Sequence, residues 1–306
     1  MEAKKKKRVI GIVGPTASGK TALSLPTAQK LGGEILCMDS MQVYRGMDIG
    51  TAKPTKTEQA LVPHHLLDIR DPGDAFTVTQ YAEEARKVLE TVSVPILVGG
   101  TGLYLQALSQ PMDYGTVSGD EEIRRKYHEI ADTQGNEALH AILRRKAPVS
   151  AAKLHPNDVR RVVRALEVYD LTGAPISRHA AADAEKSAYD FQLYAVNWPR
   201  EALYDRVDRR VDAMMREGLL DEVQALLRGG IDPDCQSMQG LGYKELIPVI
   251  QGRMTQDEAV FLIKLRTRHY AKRQLTWYRR DERIRWIPSK AKPDDTVRMI
   301  CDHYLR

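Results

Sequence analysis

Gly14-Pro-Thr-Ala-Ser-Gly-Lys-Thr21 is the stretch on which the reading of this chain turns. It fills the pattern Gly-x-x-x-x-Gly-Lys-Ser/Thr, a loop that wraps its backbone around a diphosphate or triphosphate. Its surroundings are those the loop needs. Arg8-Val-Ile-Gly-Ile-Val13 before it is apolar and β-branched, as a buried strand is, and Thr21–Leu31 after it has helical spacing with Leu23, Ala28 and Leu31 inward. Gly14 and Gly19 let the backbone curl so that N–H groups across Thr16, Ala17 and Ser18 point inward. The start of the helix adds partial positive charge at the same place. Lys20 brings a full charge to the terminal phosphate, and Thr21 offers a hydroxyl to Mg²⁺.

A chain of 306 residues is longer than one ordinary domain and predicts a core with an inserted or appended part. Its 42% hydrophobic content is enough for a substantial core, and a net charge of +5 points toward a polyanionic partner. Aromatic residues, at 6%, are too few for a broad base-stacking platform. Cys37, Cys235 and Cys301 lie far apart, which excludes a Cys-x-x-Cys metal or redox motif and suits a reducing compartment. No run nears the roughly 18 apolar residues of a membrane helix, and no signal-peptide pattern follows Met1, so a cytoplasmic protein without membrane contact is expected. Lys4–Arg8 reads as a solvated tail.

Further apolar runs, Glu34–Met38 leading into Asp39 and Val94–Val98 leading into Gly99-Gly-Thr-Gly102, flank a helical stretch at Thr79–Val92. Strands alternating with helices predict a parallel sheet covered on both faces, with ligands at the carboxyl ends of the strands. Asp39 and Thr101 both follow strand ends and are expected to face the crevice of the phosphate loop. Past Pro111 the pattern changes to charged, helical periodicity, as in Glu121–Ile130, Asn136–Lys146 and Asp158–Leu171. Strand character returns at Phe191–Val196, helices at Arg200–Arg228 and Asp257–Arg279, and a short strand at Ile284–Ile287. The expected architecture is α/β, a P-loop NTPase-like parallel sheet flanked by helices, with an inserted all-helical domain. Residues 1–111 begin the core, 112–187 form the insertion and 188–306 complete the core.

The polar, glycine-punctuated loop Asp39–Pro54 follows a buried strand directly, a place where function tends to sit. Taken alone, Asp39 can be a Mg²⁺ ligand, a base or a helix cap. No apolar run ends in Asp-Glu, and no Asn-Lys-x-Asp guanine reader occurs, so nothing announces hydrolysis-driven motion. In Lys264–Arg280, Arg266, Tyr270, Arg273, Trp277 and Arg280 share one helical face, a surface suited to phosphate or nucleic acid and anchored by Leu265, Leu275 and Trp277. Arg206, Arg209 and Arg210 have Asp205, Asp208 and Asp212 at pairing distance on their own helix, or else reach the phosphate site.

Together these residues resemble the tRNA dimethylallyltransferase (tRNA isopentenyltransferase) family. The resemblance runs through Gly14–Thr21, Asp39–Pro54, Gly99–Tyr104, His155–Glu167, Gly242-Tyr-Lys-Glu245 and Lys272–Trp277. Gly240 stands where the family often has Ala. No zinc finger follows the core, as in the bacterial form. The resemblance implies transfer of a dimethylallyl group from dimethylallyl diphosphate. The acceptor is the exocyclic amine of the adenosine 3′ of the anticodon, in tRNAs reading codons that begin with U. Asp39 is then the general base and Thr101 holds the amine or Asp39. Lys20, Thr21 with Mg²⁺, Arg210 and Arg206 stabilise the departing diphosphate. Contacts to tRNA fall on Asp39, Ser40, Met41, Gln42, Thr101, Arg124, Arg161 and Arg164. The insertion grips the anticodon stem-loop, the target base leaves its stack, and the protein acts as a monomer. A small-molecule kinase using ATP shares the loop, the sheet and a lid-like insertion. A non-catalytic nucleic-acid-binding module would keep the fold but not depend on Lys20.

Overall fold

The computed structural model describes residues 6–109, 119–175 and 187–306. The chain divides into two compact units, Met1–Ser109 with Ala188–Arg306, and Gln110–Ser187.

The larger unit is built on a six-stranded sheet of β1 (Lys7–Val13), β2 (Glu34–Met38), β3 (His64–His65), β4 (Pro95–Gly99), β5 (Tyr189–Asn197) and β6 (Ile284–Pro288). Every pairing is parallel, and the order is β3-β2-β4-β1-β5-β6. β4 lies between β2 and β1, with Met38↔Gly99 and Val13↔Gly99 in register. The carboxyl ends of β1, β2 and β4 are therefore neighbours, and the three loops that leave them open on one crevice. Gly99 has to be glycine, because a Cβ there would lie 2.0 Å from the Met38 carbonyl oxygen.

Both faces are covered, which explains why the strands read as continuous apolar runs. On one side α1 (Lys20–Leu31) and α13 (Pro293–Leu305) set Leu23, Leu25, Ala28, Val297 and Ile300 against Ile10, Ile12, Ile35, Ile96 and Tyr194. α3 (Val78–Thr91) and α4 (Gly102–Ser109) meet through Tyr81 and Tyr104, stacked with centroids 3.8 Å apart. Thr77 and Gln80 form a capping box that starts α3. A short α2 (Lys56–Leu61) follows the Asp39–Pro54 loop. α9 (Arg200–Arg216) and α12 (Gln256–Tyr278) pack Leu203, Val207, Ala271 and Leu275 against Ala17 of the phosphate loop.

The expected helix Arg200–Arg228 is two, because Gly218 in a left-handed turn (φ 98°) ends α9 and opens α10 (Leu219–Arg228). α11 (Tyr243–Ile250) was not expected; Pro248 inside it masks its periodicity. Of the expected anchors of α12, Leu275 is buried but Trp277 is 41% exposed, and Tyr278 is buried in its place.

In the second unit α5 (Glu121–Gln134), α6 (Asn136–Lys146), a short α7 (Pro148–Ala151) and α8 (Val159–Thr172) share a core of Tyr127, Leu139, Leu143, Val162, Val163 and Leu166. Asp120 caps α5 by accepting from Glu122 and Ile123 N–H.

Candidate active site at the ends of the parallel strands

The loop after β1 is curled as its glycines require, with Gly14 at φ 129° and Gly19 at φ 90°. Ala17, at φ 61°, holds the same left-handed conformation without being glycine, a strained position of the kind found at binding sites. Neighbours brace it: the Arg206 Nε donates to the Ala17 carbonyl at 2.7 Å, and its guanidinium lies over the Trp198 ring at 4.4 Å. The Trp198 indole N–H donates to the Ser18 carbonyl at 3.0 Å. Arg206, expected at the diphosphate, thus has its Nε and its guanidinium face committed to the loop carbonyl and to Trp198.

Inside the loop, the Ser18 hydroxyl is buried with no hydrogen-bond partner among the described residues, a donor that a bound oxyanion would satisfy. The first-turn N–H groups of α1 have no intrahelical partner either. The Thr16 N–H is not available to a phosphate; it donates to Gln274 Oε1 at 2.8 Å. Lys20 Nζ folds back onto the carbonyls of Gly14 (3.2 Å) and Pro15 (2.8 Å). Burial, with the Arg210 guanidinium nearby, brings the Lys20 ammonium down to about 8, while the Asp39 carboxylate acts in the opposite sense. Arg210 is likewise held below its usual range by burial, against the pull of Asp39. Lys20, Arg210 and Asp39 therefore form one electrostatic group, as expected of a site for a polyanion beside a base.

Asp39 ends β2. One carboxylate oxygen, Oδ1, accepts from Met41 N (2.9 Å) and Gln42 N (3.4 Å), so the residue caps the turn that follows. Its Oδ2 has no hydrogen bond among the described residues, leaving an acceptor for a proton. Thr101 Oγ1 accepts from Ser40 N at 3.3 Å, which ties the loop after β4 to the residue next to Asp39. Of the expected tRNA contacts, Gln42 is turned inward: its amide donates to the carbonyls of Thr51 and Ala52, both at 3.0 Å, and accepts from Cys37 Sγ.

A pocket of about 420 Å³ opens beside Thr21 and Arg210, walled by Ile49, Lys53, Met214 and Glu217 among others. No group of three or more His, Cys, Asp or Glu side chains able to hold a metal occurs among the described residues. Thr21 alone is therefore a fit only for a cation completed by phosphate oxygens, the usual situation of Mg²⁺ at such loops.

In the helical unit, Arg124 and Arg164 both pair with the fully buried Glu167, Arg124 through Nε at 2.7 Å. Arg161 pairs with Asp158 at 3.4 Å and stays exposed. On α9 the expected pairing within the helix is replaced by pairing to α12, Asp208 to Arg268 and Asp212 to Lys264.

A profile described as IPPT, IPP transferase, matches residues 42–281. The chain belongs to the IPP transferase family. It is 45% identical to a tRNA dimethylallyltransferase of Pelotomaculum thermopropionicum, over 92% of this chain and 91% of that one. One from Geobacillus kaustophilus is 45% identical, with 92% and 90% covered. The crystal structure of the full-length tRNA isopentenylpyrophosphate transferase from Bacillus halodurans superimposes with a TM-score of 0.72 at 41% identity, covering 98% of this chain and 96% of that one. A eukaryotic dimethylallyltransferase, captured acting on tRNA, gives a TM-score of 0.75 at 30% identity, covering 92% of this chain and 74% of that one.

Three residues that tie together the loops at this end of the sheet were not singled out by sequence reasoning. Glu222 on α10 accepts from the N–H groups of Asp48, Ile49 and Gly50 and from the Tyr243 hydroxyl at 2.6 Å. Lys53, its side chain only 2% exposed, pairs with Asp48 and Asp68, both at 2.5 Å, and donates to the Tyr44 carbonyl. Gln274 links two loops, as described below. Lys53 and Gln274 lie inside the Asp39–Pro54 and Lys272–Trp277 stretches, and Glu222, outside all of the quoted stretches, is reached only through its partner Tyr243 in Gly242–Glu245. Gly240 has a local reason: a Cβ there would lie 2.6 Å from Met41 Cε, so this IPP transferase gives the Met41 methyl the space an alanine would take.

Proposed function

We propose that this chain transfers the dimethylallyl group of dimethylallyl diphosphate to the N6 amine of the adenosine 3′ of the anticodon, in tRNAs reading codons that begin with U. Family membership supports the transfer to tRNA. The observation that carries the chemistry is the open oxygen of Asp39 next to the cationic pair Lys20 and Arg210, at the ends of adjacent strands.

In this reading the amine nitrogen attacks the primary allylic carbon while the carbon–oxygen bond to diphosphate breaks. The nitrogen loses its proton to Asp39 Oδ2, and the bonding pair leaves on the diphosphate oxygen. Lys20, Arg210, the Ser18 hydroxyl and the first N–H groups of α1 receive the growing negative charge. Mg²⁺, when bound at Thr21, adds charge neutralisation to the leaving group. Thr101 holds the acceptor side in place, and Ser40 and Met41 line the path of the flipped base. Arg161, exposed beside Asp158, offers charge to the anticodon stem-loop, with Arg124 and Arg164 of the same helical unit. The enzyme works as a monomer in the cytoplasm.

Incubation with unmodified tRNA, Mg²⁺ and labelled dimethylallyl diphosphate, with labelled ATP in parallel, tests this. Label should enter tRNA from the allyl donor only. Asp39→Asn keeps the acceptor for Met41 and Gln42 N–H but removes the base, and should cut transfer by about 10²–10⁴ with tRNA affinity nearly unchanged. Phosphate transfer from ATP without allyl transfer would replace this function with a kinase.

A further inference from the structure

We infer that Gln274 is a positioning residue that sets the distance between the diphosphate site and the acceptor-side base; the inference rests on the reaction proposed above. Gln274 is 6% exposed on the buried face of α12. Its Oε1 accepts from the Thr16 N–H of the phosphate loop at 2.8 Å, and its Nε2 donates to the Gly100 carbonyl at 2.9 Å. One planar amide thus joins the loop after β1 to the loop after β4, one bond on each side.

The Gly100 end leads to the chemistry. Thr101 is the next residue; its hydroxyl accepts from Ser40 N, and Ser40 follows Asp39. Gly100 is shaped for this approach, since a Cβ there would lie 2.3 Å from Gln274 Nε2 and 3.3 Å from the Gly14 carbonyl oxygen. The Thr16 N–H, which a phosphate-binding loop would turn inward, is spent on this link. β1 and β4 pair up to Val13↔Gly99 without any help from Gln274, so the amide is not needed to form the sheet. Its two bonds act beyond the strand ends, where the leaving group and the base have to be held at a fixed separation. A misplacement of about 1 Å between reacting groups costs on the order of 10²-fold in rate.

The test uses Gln274→Glu and Gln274→Met in the full chain. The glutamate keeps an acceptor for Thr16 N–H and removes the donor to Gly100; the methionine removes both at similar volume. Single-turnover transfer is measured with both substrates saturating and is normalised to titrated active sites. Dissociation constants are measured for inorganic diphosphate and for unmodified tRNA. The expected result is a rate loss of about 10- to 100-fold in each variant, with both constants within about threefold of the parent. In a Thr101→Ala background the effect of Gln274→Glu should shrink, because the two act through one segment. If Gln274→Met does not fold, Gln274→Glu decides alone. A rate within about twofold of the parent, or a loss abolished by saturating donor, overturns the inference. Parent-level transfer by Gln274→Glu while Asp39→Asn is inactive removes this inference alone. Parent-level transfer by Asp39→Asn removes the reaction reading and this inference with it.

Discussion

Replacing Lys20 with methionine should stabilise the protein in the absence of diphosphate, by an amount that depends on pH. Burial and Arg210 bring the folded-state lysine from 10.5 to about 8. The unfolded chain keeps the higher value, so between pH 8 and 10.5 it binds more protons than the folded protein. Parental stability therefore rises as pH climbs through that window, and the full penalty is present below pH 8. The gap of about 2.5, at 1.36 kcal/mol for each tenfold step, makes a cost of about 3 kcal/mol at pH 7, falling to about 1 kcal/mol at pH 9.5. Methionine loses the two bonds to the Gly14 and Pro15 carbonyls, worth about 1–2 kcal/mol after rehydration. Lys20→Met should thus be about 1–2 kcal/mol more stable than the parent at pH 7, with the advantage gone near pH 9.5. Urea unfolding of both proteins across that range, in buffer free of phosphate and sulfate, measures it. Diphosphate at about a hundred times its dissociation constant adds about 2.7 kcal/mol to the parent and should invert the order. A stability difference that stays constant from pH 7 to 9.5 would refute the reasoning, because it would mean that folding does not displace the lysine's proton.

Two further expectations concern the loop behind Asp39. Lys53→Met strands Asp48 and Asp68 and the Tyr44 carbonyl; with the carboxylates 58% and 30% exposed, the loss should be about 2 kcal/mol rather than the 3–5 of a fully buried pair. Adding Asp68→Asn should recover part of it, and a double variant no more stable than the single would assign the loss to packing. Glu222→Gln weakens the clamp on the N–H groups of Asp48, Ile49 and Gly50. Because Asp48 and Ile49 wall the pocket beside Thr21, KM for the donor should rise several-fold while tRNA affinity holds, and steady-state kinetics decide it.

The phosphate loop, the strand ends that carry Asp39 and Thr101, and the helices of residues 121–172 were legible because each is a local pattern of spacing and composition. Fold and crevice follow from those patterns by the rules of parallel sheets. The partners of charged groups were not legible. Asp208 and Asp212 have arginines at helical spacing on α9, yet they pair with Arg268 and Lys264 of α12, because packing the two helices brings those cations closer. Gln42 reads as a contact to tRNA but closes on Thr51, Ala52 and Cys37. Arg124 and Arg164 read as contacts to tRNA, but the buried Glu167 needs compensation and pairs with both. Arg164 and Glu167 are only three residues apart on α8 and within reach of helical spacing, whereas the partners of Arg124, Gln42 and the α9 aspartates lie farther along the chain or in the folded loop.

The pairing of β1 with β5, from Lys7↔Tyr189 to Val13↔Ala195, has a consequence for synthesis. β1 emerges first from the ribosome, and β4 can join it through Ile10↔Ile96, but its other edge must wait for residues on the far side of the helical unit. At 5–20 residues per second the delay is roughly ten to forty seconds. α5 to α8, whose contacts are close in sequence, have time to fold within it. Until β5 arrives, an apolar strand with unpaired N–H and carbonyl groups stays open to another nascent chain. The order in which this protein is made therefore places its greatest aggregation hazard at the strand that precedes its phosphate loop.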